Sequence, residues 1–273
     1  SFATWFFDYN NDGWLDLFVA GYEATPADLL ADYRGETHDA TFPKLYQNTG
    51  DGRFRDVTRA AGLEHVYLPM GANFGDVDFD GWLDIYLATG DPKYETLMPN
   101  ILLRNVEGRG FEDATFAAGL GHLQKGHGVA FVDLDNDGDQ DLYHQLGGFY
   151  PGDKYHNALF LNPGNDHHHL YVQLTGTKTN RDAMGAKITV TVKTQSGIRQ
   201  IHRWVGIVSS FGGSPLRQEI GLGRAEAIKE ILVRWPTSKA ETRFVDVPLD
   251  SKIAIVEGQD HFSRIKAPSI AID

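Results

Sequence analysis

Three stretches of this chain space oxygen-bearing side chains as a hard cation requires. The first holds Asp8, Asn10, Asp12 and Asp16, the second Asp76, Asp78, Asp80 and Asp84, the third Asp133, Asp135, Asp137 and Asp141. All three read D-x-[DN]-x-D-G-x-x-D, with Gly13, Gly81 and Gly138 at the sixth position. Calcium takes six to eight oxygens at about 2.3–2.6 Å, and alternate side chains around a sharp glycine turn supply most of them. The seventh position, where such loops offer a backbone carbonyl, is Trp14, Trp82 and Asp139. The twelfth, a bidentate Glu in an EF-hand, is Val19, Leu87 and His144, and the flanks read as strands rather than helices. The expectation is about three Ca²⁺ ions, each clipping two strands together, with a structural rather than catalytic role. Without cations, so many neighbouring carboxylates would repel or take up protons.

The elements that position these loops repeat. Asn48 to Asn105 and Asn105 to Asn162 are each 57 residues apart, and so are Asp76 and Asp133. Asp8 to Asp76 is 68, with the extra 11 residues in a polar insertion between Gly21 and Leu45. Each unit reads as four short strands between Gly, Asn and Asp turns, as in Val129–Val132, Asp141–Leu146, Ala158–Leu161 and the "GxFxD" strand at Arg53–Val57. Tandem four-stranded units of this length point to a β-propeller. The "GxFxD" strand does not recur after Asn162, and about three blades cannot close a ring. The chain is therefore expected to be a fragment of a longer protein, or to be completed by self-association or another chain. Trp14 and Trp82 are expected to pack between neighbouring blades.

After Asn165 the pattern changes to longer alternating strands, "LYVQLTG", "AKITVTVK", "IRQIHRWVG", "EILVRW", "TRFVDV" and "KIAIVEG", the period of a β-sandwich or barrel. Arg224–Glu230 reads as one helical turn, and the chain after Gln259 as a loose terminus. The fold expectation is all-β: a partial calcium-binding propeller over 1–165, a β-sandwich-like domain over 166–259 and a tail over 260–273. The repeats resemble the VCBS/FG-GAP blades of integrin-type propellers. The segments "HLYVQLTGTKTNRDAMGAKITVTV" (His169–Val192), "GLG" (Gly221–Gly223), "ILVRWP" and "IVEG" resemble the ASPIC/UnbV domain of cartilage acidic protein-like proteins. Two positions depart from that pattern: Gln218-Glu219-Ile220 precedes GLG where an aromatic is common, and Thr237-Ser238-Lys239 follows the Trp-Pro. The resemblance implies an exported or extracellular protein and gives architecture more firmly than activity.

Composition narrows the function. Thirty-seven acids against 25 bases leave a formal charge of −12, unsuited to nucleic acid or an anionic membrane surface. There is no cysteine and no apolar run long enough to span a membrane. "SSFGGS" lacks the nucleophile elbow, "GLGRAE" follows no nucleotide-binding strand, and the best carboxylate pairs belong to the acidic loops. The turn at Asn180, Arg181 and Asp182 is readable as a ligand site or as ordinary loop hydrogen bonding. His167, His168 and His169, with His156 or His144, could assemble a transition-metal site at the domain junction. The reading favoured is a non-enzymatic, calcium-stabilised binding, adhesion or assembly module, outside the cytoplasm or at the cell surface, recognising protein or glycan. The alternative is an enzyme or accessory protein of a biosynthetic or degradative pathway with a His/carboxylate site at the junction.

Overall fold

Short β-branched and aromatic runs broken by glycine turns can bury themselves only by pairing edge to edge and stacking sheet against sheet, and the chain does both. The computed structural model describes residues 2–90, 96–148, 150–152, 154–207 and 209–272. In the first unit, β1 (Thr4–Phe7), β2 (Asp16–Val19), β3 (Lys44–Asn48) and β4 (Phe54–Asp56) form an antiparallel sheet in chain order. The polar insertion between β2 and β3 holds helix α1 (Pro26–Arg34), whose Thr25–Asp28 capping box and left-handed Gly35 fix its two ends. The second unit repeats the order with β5 (Pro69–Gly75), β6 (Asp84–Thr89), β7 (Ile101–Asn105) and β8 (Phe111–Asp113). The third has three strands, β9 (Gly126–Val132), β10 (Asp141–Leu146) and β11 (Ala158–Phe160). One apolar core, centred on Trp5, Phe7, Phe18 and Ile85, joins the first two units, and a second, around Tyr86, Leu102 and Phe131, joins the second to the third.

The remaining strands are β12 (His168–Thr175), β13 (Lys187–Thr194), β14 (Gly197–Trp204), β15 (Gln218–Gly223), β16 (Ala227–Arg234), β17 (Glu241–Phe244), β18 (Ser251–Val256) and β19 (Phe262–Arg264). They make two sheets, in orders β15-β12-β18-β19 and β14-β13-β16-β17, with β12 and β18 parallel. Leu170, Val172 and Leu174 on one sheet and Ile188, Val190 and Val192 on the other alternate into a single shared core.

The fold is all-β with a β-propeller arrangement, and five sheets stand where about three blades were expected. Other local expectations are corrected. Arg224–Glu230 forms no helical turn: the chain is already in β16 from Ala227, because Ile228 and Ile231 enter the sandwich core. The 260–273 tail is not wholly loose, since β19 pairs with β18 and Ile270 N–H donates to the Asp135 carbonyl at 2.6 Å. The segment between β14 and β15 reaches back over the units. There Ser210 forms an antiparallel bridge with Ala72 of β5, and the Ser214 hydroxyl accepts from Asn73 Nδ2 (2.9 Å) and Phe131 N–H (3.3 Å). No helix among the described residues is long and apolar enough to cross a membrane.

Candidate metal centre

Each acidic loop links the first two strands of its unit, and the three share one backbone conformation. The glycine at the sixth position has φ of +89° at Gly13, +93° at Gly81 and +115° at Gly138, and the residue two before it is also left-handed, as Asn11, Phe79 and Asn136. Each loop then curls around its own carboxylates. Asp8 accepts from Asp12 N–H (3.1 Å) and Gly13 N–H (2.9 Å), and Asp76 accepts from Gly81 N–H (3.3 Å). The last acid of each loop pins the third strand of its unit: Asp16 accepts from Asn48 N–H, Asp84 from Asn105 N–H and Asp141 from Asn162 N–H, at 2.8, 2.8 and 3.0 Å.

The loops differ in how far they gather ligands. Oxygens of Asp76, Asp78 and Asp84 lie within 4.8 Å of one another, and so do those of Asp133, Asp135 and Asp137. No such trio of acids forms in the first loop among the described residues, where Asn10 Nδ2 instead donates to Asp12 at 2.9 Å. Asp80 and Asp139 flank the gathered groups, Trp14 is exposed rather than packed between blades, and Gly108 of the second unit sits against both Trp82 and, in the first unit, Asn10.

Burial, then mutual repulsion, drives these carboxyls upward. Asp80 is pushed up to about 7 by burial, then by Asp76 and Asp78. Asp139 also rises to about 7, through burial and then Asp137 and Asp141. Asp84 is held well above the usual carboxylate range by burial and then by Asp78 and Asp76. In the first loop, burial raises Asp8 and Asp16 to about 7. Asp133 Oδ1 and Asp139 Oδ1 are buried with no hydrogen-bond partner. Gathered all-oxygen donors with excess negative charge fit a calcium-class cation in the second and third loops, and the third adds unsatisfied lone pairs on Asp133 and Asp139.

The sandwich covers the loops and sends a cation to each, with Arg199 joining Arg203 at the second. Lys187 Nζ donates to the Gly13 carbonyl at 2.6 Å, Arg203 pairs with Asp76 at 3.0 Å, and Lys252 pairs with Asp133 at 2.8 Å and reaches the Asn136 carbonyl at 3.2 Å. Asn11 Oδ1 accepts from His202 N–H at 3.1 Å, and buried Phe79 stacks on Tyr171 with its carbonyl accepting from Gly223 N–H at 2.8 Å. Nothing local in the sequence marks these cations, because they sit on strands whose pattern reports only core-facing alternation.

The histidines do not converge. His167 Nδ1 lies 2.7 Å from the Asp78 carbonyl, His168 Nδ1 lies 2.8 Å from Asp250, and the His169 ring packs on Tyr171. His144 is fully buried on β10, its pKa lowered to about 3 by burial and then by His122 and His127, and no described histidines gather a three-ligand site. Asn180 is spent within its own loop, exchanging hydrogen bonds with the Met184 backbone at 3.0 and 2.9 Å. The turn beside it is held instead by buried Glu257, which accepts from Thr177, Lys178 and Thr179 N–H at 2.8, 2.8 and 2.7 Å and from the Thr179 and Ser238 hydroxyls.

Residues 8–87 match the family model for the FG-GAP-like repeat, and residues 176–261 match the model described as ASPIC and UnbV. The chain joins FG-GAP-like repeats to an ASPIC/UnbV domain. The sequence matches none of the curated proteins compared with it. The ASPIC/UnbV match takes in Lys187, Arg203 and Lys252, while Arg104 of the second unit itself pairs with Asp78 at 3.5 Å.

Proposed function

We propose that this chain is a calcium-stabilised binding or assembly module, working outside the cytoplasm and recognising protein or glycan. The observation that carries this reading is the pair of gathered carboxylate groups where the two kinds of domain meet, each anchored on a buried Asp and the third loop keeping unpartnered oxygens on Asp133 and Asp139. Asp76, Asp78 and Asp84 would hold one ion, with Asp80 and the Trp82 carbonyl beside them. Asp133, Asp135 and Asp137 would hold a second, with Asp139 and Asp141 beside them. In the first loop, Asp8, Asn10, Asp12, Asp16 and the Trp14 carbonyl form the weaker site. Bound calcium would supply the positive charge that the loops lack, and millimolar calcium outside cells fills even weak sites of this kind. The chain's own residues do the rest: they fix the sheets against one another and so display the outer loops rigidly. Propeller scaffolds typically serve protein recognition.

The test is native mass spectrometry of the whole chain, with calcium and after chelation, paired with thermal unfolding. Two to three ions per chain, whose removal lowers Tm, are expected. An unchanged Tm together with no bound ion would reduce the loops to ordinary turns.

A further inference from the structure

The first two units supply an internal template for a surface on the third. In unit one, Leu45 N–H donates to Thr58 Oγ1 (3.0 Å) and its carbonyl accepts from Val57 N–H (2.9 Å); in unit two, Leu102 does the same with Thr115 (2.9 Å) and Ala114 (3.0 Å). These bonds tie the third strand to the fourth. In unit three the equivalent residue is Leu159, paired with Tyr143 just as Leu45 is with Phe18 and Leu102 with Tyr86. That parity turns its N–H and C=O away from β10, and β11 is the edge of its sheet. Leu45 and Leu102 are 0% and 1% exposed, whereas Leu159 is half-buried and Leu161 is 45% exposed.

A second comparison locates the other wall. The turn after β4 meets the start of β8: Phe111 N–H donates to the Ala61 carbonyl at 2.9 Å, and a methyl group on Gly62 would come within 2.9 Å of the Phe111 carbonyl. Fifty-seven residues on, Ala118 is exposed where Ala61 is buried, and a methyl on Gly119 would meet nothing within 4 Å. Between this turn and β11 lies a cavity of about 890 Å³ whose lining combines apolar Ala118, Leu120, Phe160 and Leu161 with charged Arg104 and Glu112.

We infer that this groove is a strand-accepting site for a partner polypeptide whose extended segment reads aromatic–apolar–Asp–x–Thr. The statement rests on the reading of the chain as a protein-binding module and names the partner's chemistry. The aromatic takes the place that Phe111 holds against the first unit's turn. The Asp caps the Thr N–H, as Asp56 and Asp113 do for Thr58 and Thr115 (3.0 and 2.9 Å), and the Thr hydroxyl accepts from Leu159 N–H. The second position is set by its cross-strand neighbour. Arg55 faces Gln47 and Glu112 faces Arg104, both polar pairs, but the third-unit counterpart of Gln47 and Arg104 is Leu161, which selects an apolar side chain. Main-chain bonds along β11 give affinity and the side-chain seats give specificity. A second copy of this chain is a poor donor, because its two F-x-D-x-T segments are already paired in β4 and β8.

The experiment is fluorescence anisotropy with the whole chain in calcium, using a labelled peptide that copies Gly108–Phe116 with Glu112→Ile. Saturable 1:1 binding is expected, weakened about tenfold or more when the peptide's Phe is replaced by Ala, and likewise in the protein variants Ala118→Arg and Leu161→Asp. Two variants guard against loss of folding in either, and their Tm is read alongside. Binding no tighter than that of a scrambled peptide, or unaffected by both variants, overturns the site. A dimer in sedimentation that Ala118→Arg abolishes overturns the partner assignment in favour of a second copy. Calcium-dependent Tm is measured on the same samples: a silent peptide with a normal calcium response sinks the groove alone, whereas peptide binding without any calcium response sinks the calcium reading alone.

Discussion

Two buried carboxylates, Asp133 in the third acidic loop and Glu257 in the sandwich, meet opposite treatment. Glu257 is surrounded by three backbone N–H groups and two hydroxyls. Burial pushes its carboxyl up, and the donors from Ser238, Thr179, Thr177 and Lys178 outweigh that, holding it at about 2. Asp133 has Lys252 on one oxygen and nothing on the other, with Asp135 and Asp137 close by. Glu257 has its buried charge satisfied within its own domain, whereas Asp133 keeps an oxygen that a cation could take. The difference separates a carboxylate that pins a turn from one that is built to share a ligand.

The comparison breaks first at the ion. Chelation should produce the largest effect, with each filled site contributing about 2.7 kcal/mol at a hundredfold excess of calcium over its Kd, read from urea unfolding with and without chelator. Asp133→Asn should remove most of the third loop's share of that calcium response, and it should also lower the stability of the chelated protein because Lys252 loses its buried partner. Glu257→Gln should cost about 2–3 kcal/mol, by the same amount with and without calcium, because its donors lose a charged acceptor. A Glu257→Gln loss that calcium repairs would erase the distinction.

Acid should then act in opposite senses on the two halves. Without calcium, Asp76, Asp80 and Asp139 have folded values of about 6, 7 and 7, above their unfolded range, so their contribution to stability is lost as pH rises through 6–7 and regained on acidification. The Tm gap between loaded and chelated protein should therefore close as pH falls from about 7 towards 4. Glu257 is depressed, so its contribution is present above its unfolded value of about 4.5 and disappears as pH falls towards 2. The smallest effect belongs to Asp250→Asn: its ion pair with His168 is exposed, and stability should change by less than about 1 kcal/mol.

Repeat, loop and sandwich alternation were legible in the sequence because each is a local pattern repeated in phase. Asp76 and Asp133 announce themselves by spacing. Lys187, Arg203 and Lys252 do not, since a lone cation on a strand looks the same whether it faces water or a loop more than a hundred residues away. Strand β15 is missing from the alternating runs because Gln218 and Glu219 break the apolar pattern, and Glu219 is buried for a different reason, accepting from Gln140 Nε2 at 3.0 Å across the domain junction. The histidine run suggests a metal site by composition alone, but His167 turns to the Asp78 carbonyl while His168 and His169 share Asp250.

The bond between Arg203 and Asp76 spans 127 residues of chain. During synthesis at about 5–20 residues per second, the second acidic loop emerges roughly 6–25 s before the guanidinium that will cover it. For that interval the nascent repeats carry uncovered acidic loops and inner strands that the Ser210 segment has not yet bridged. An ion captured early would hold the first sheets in register while they wait, and calcium bound there would then act as a folding timer.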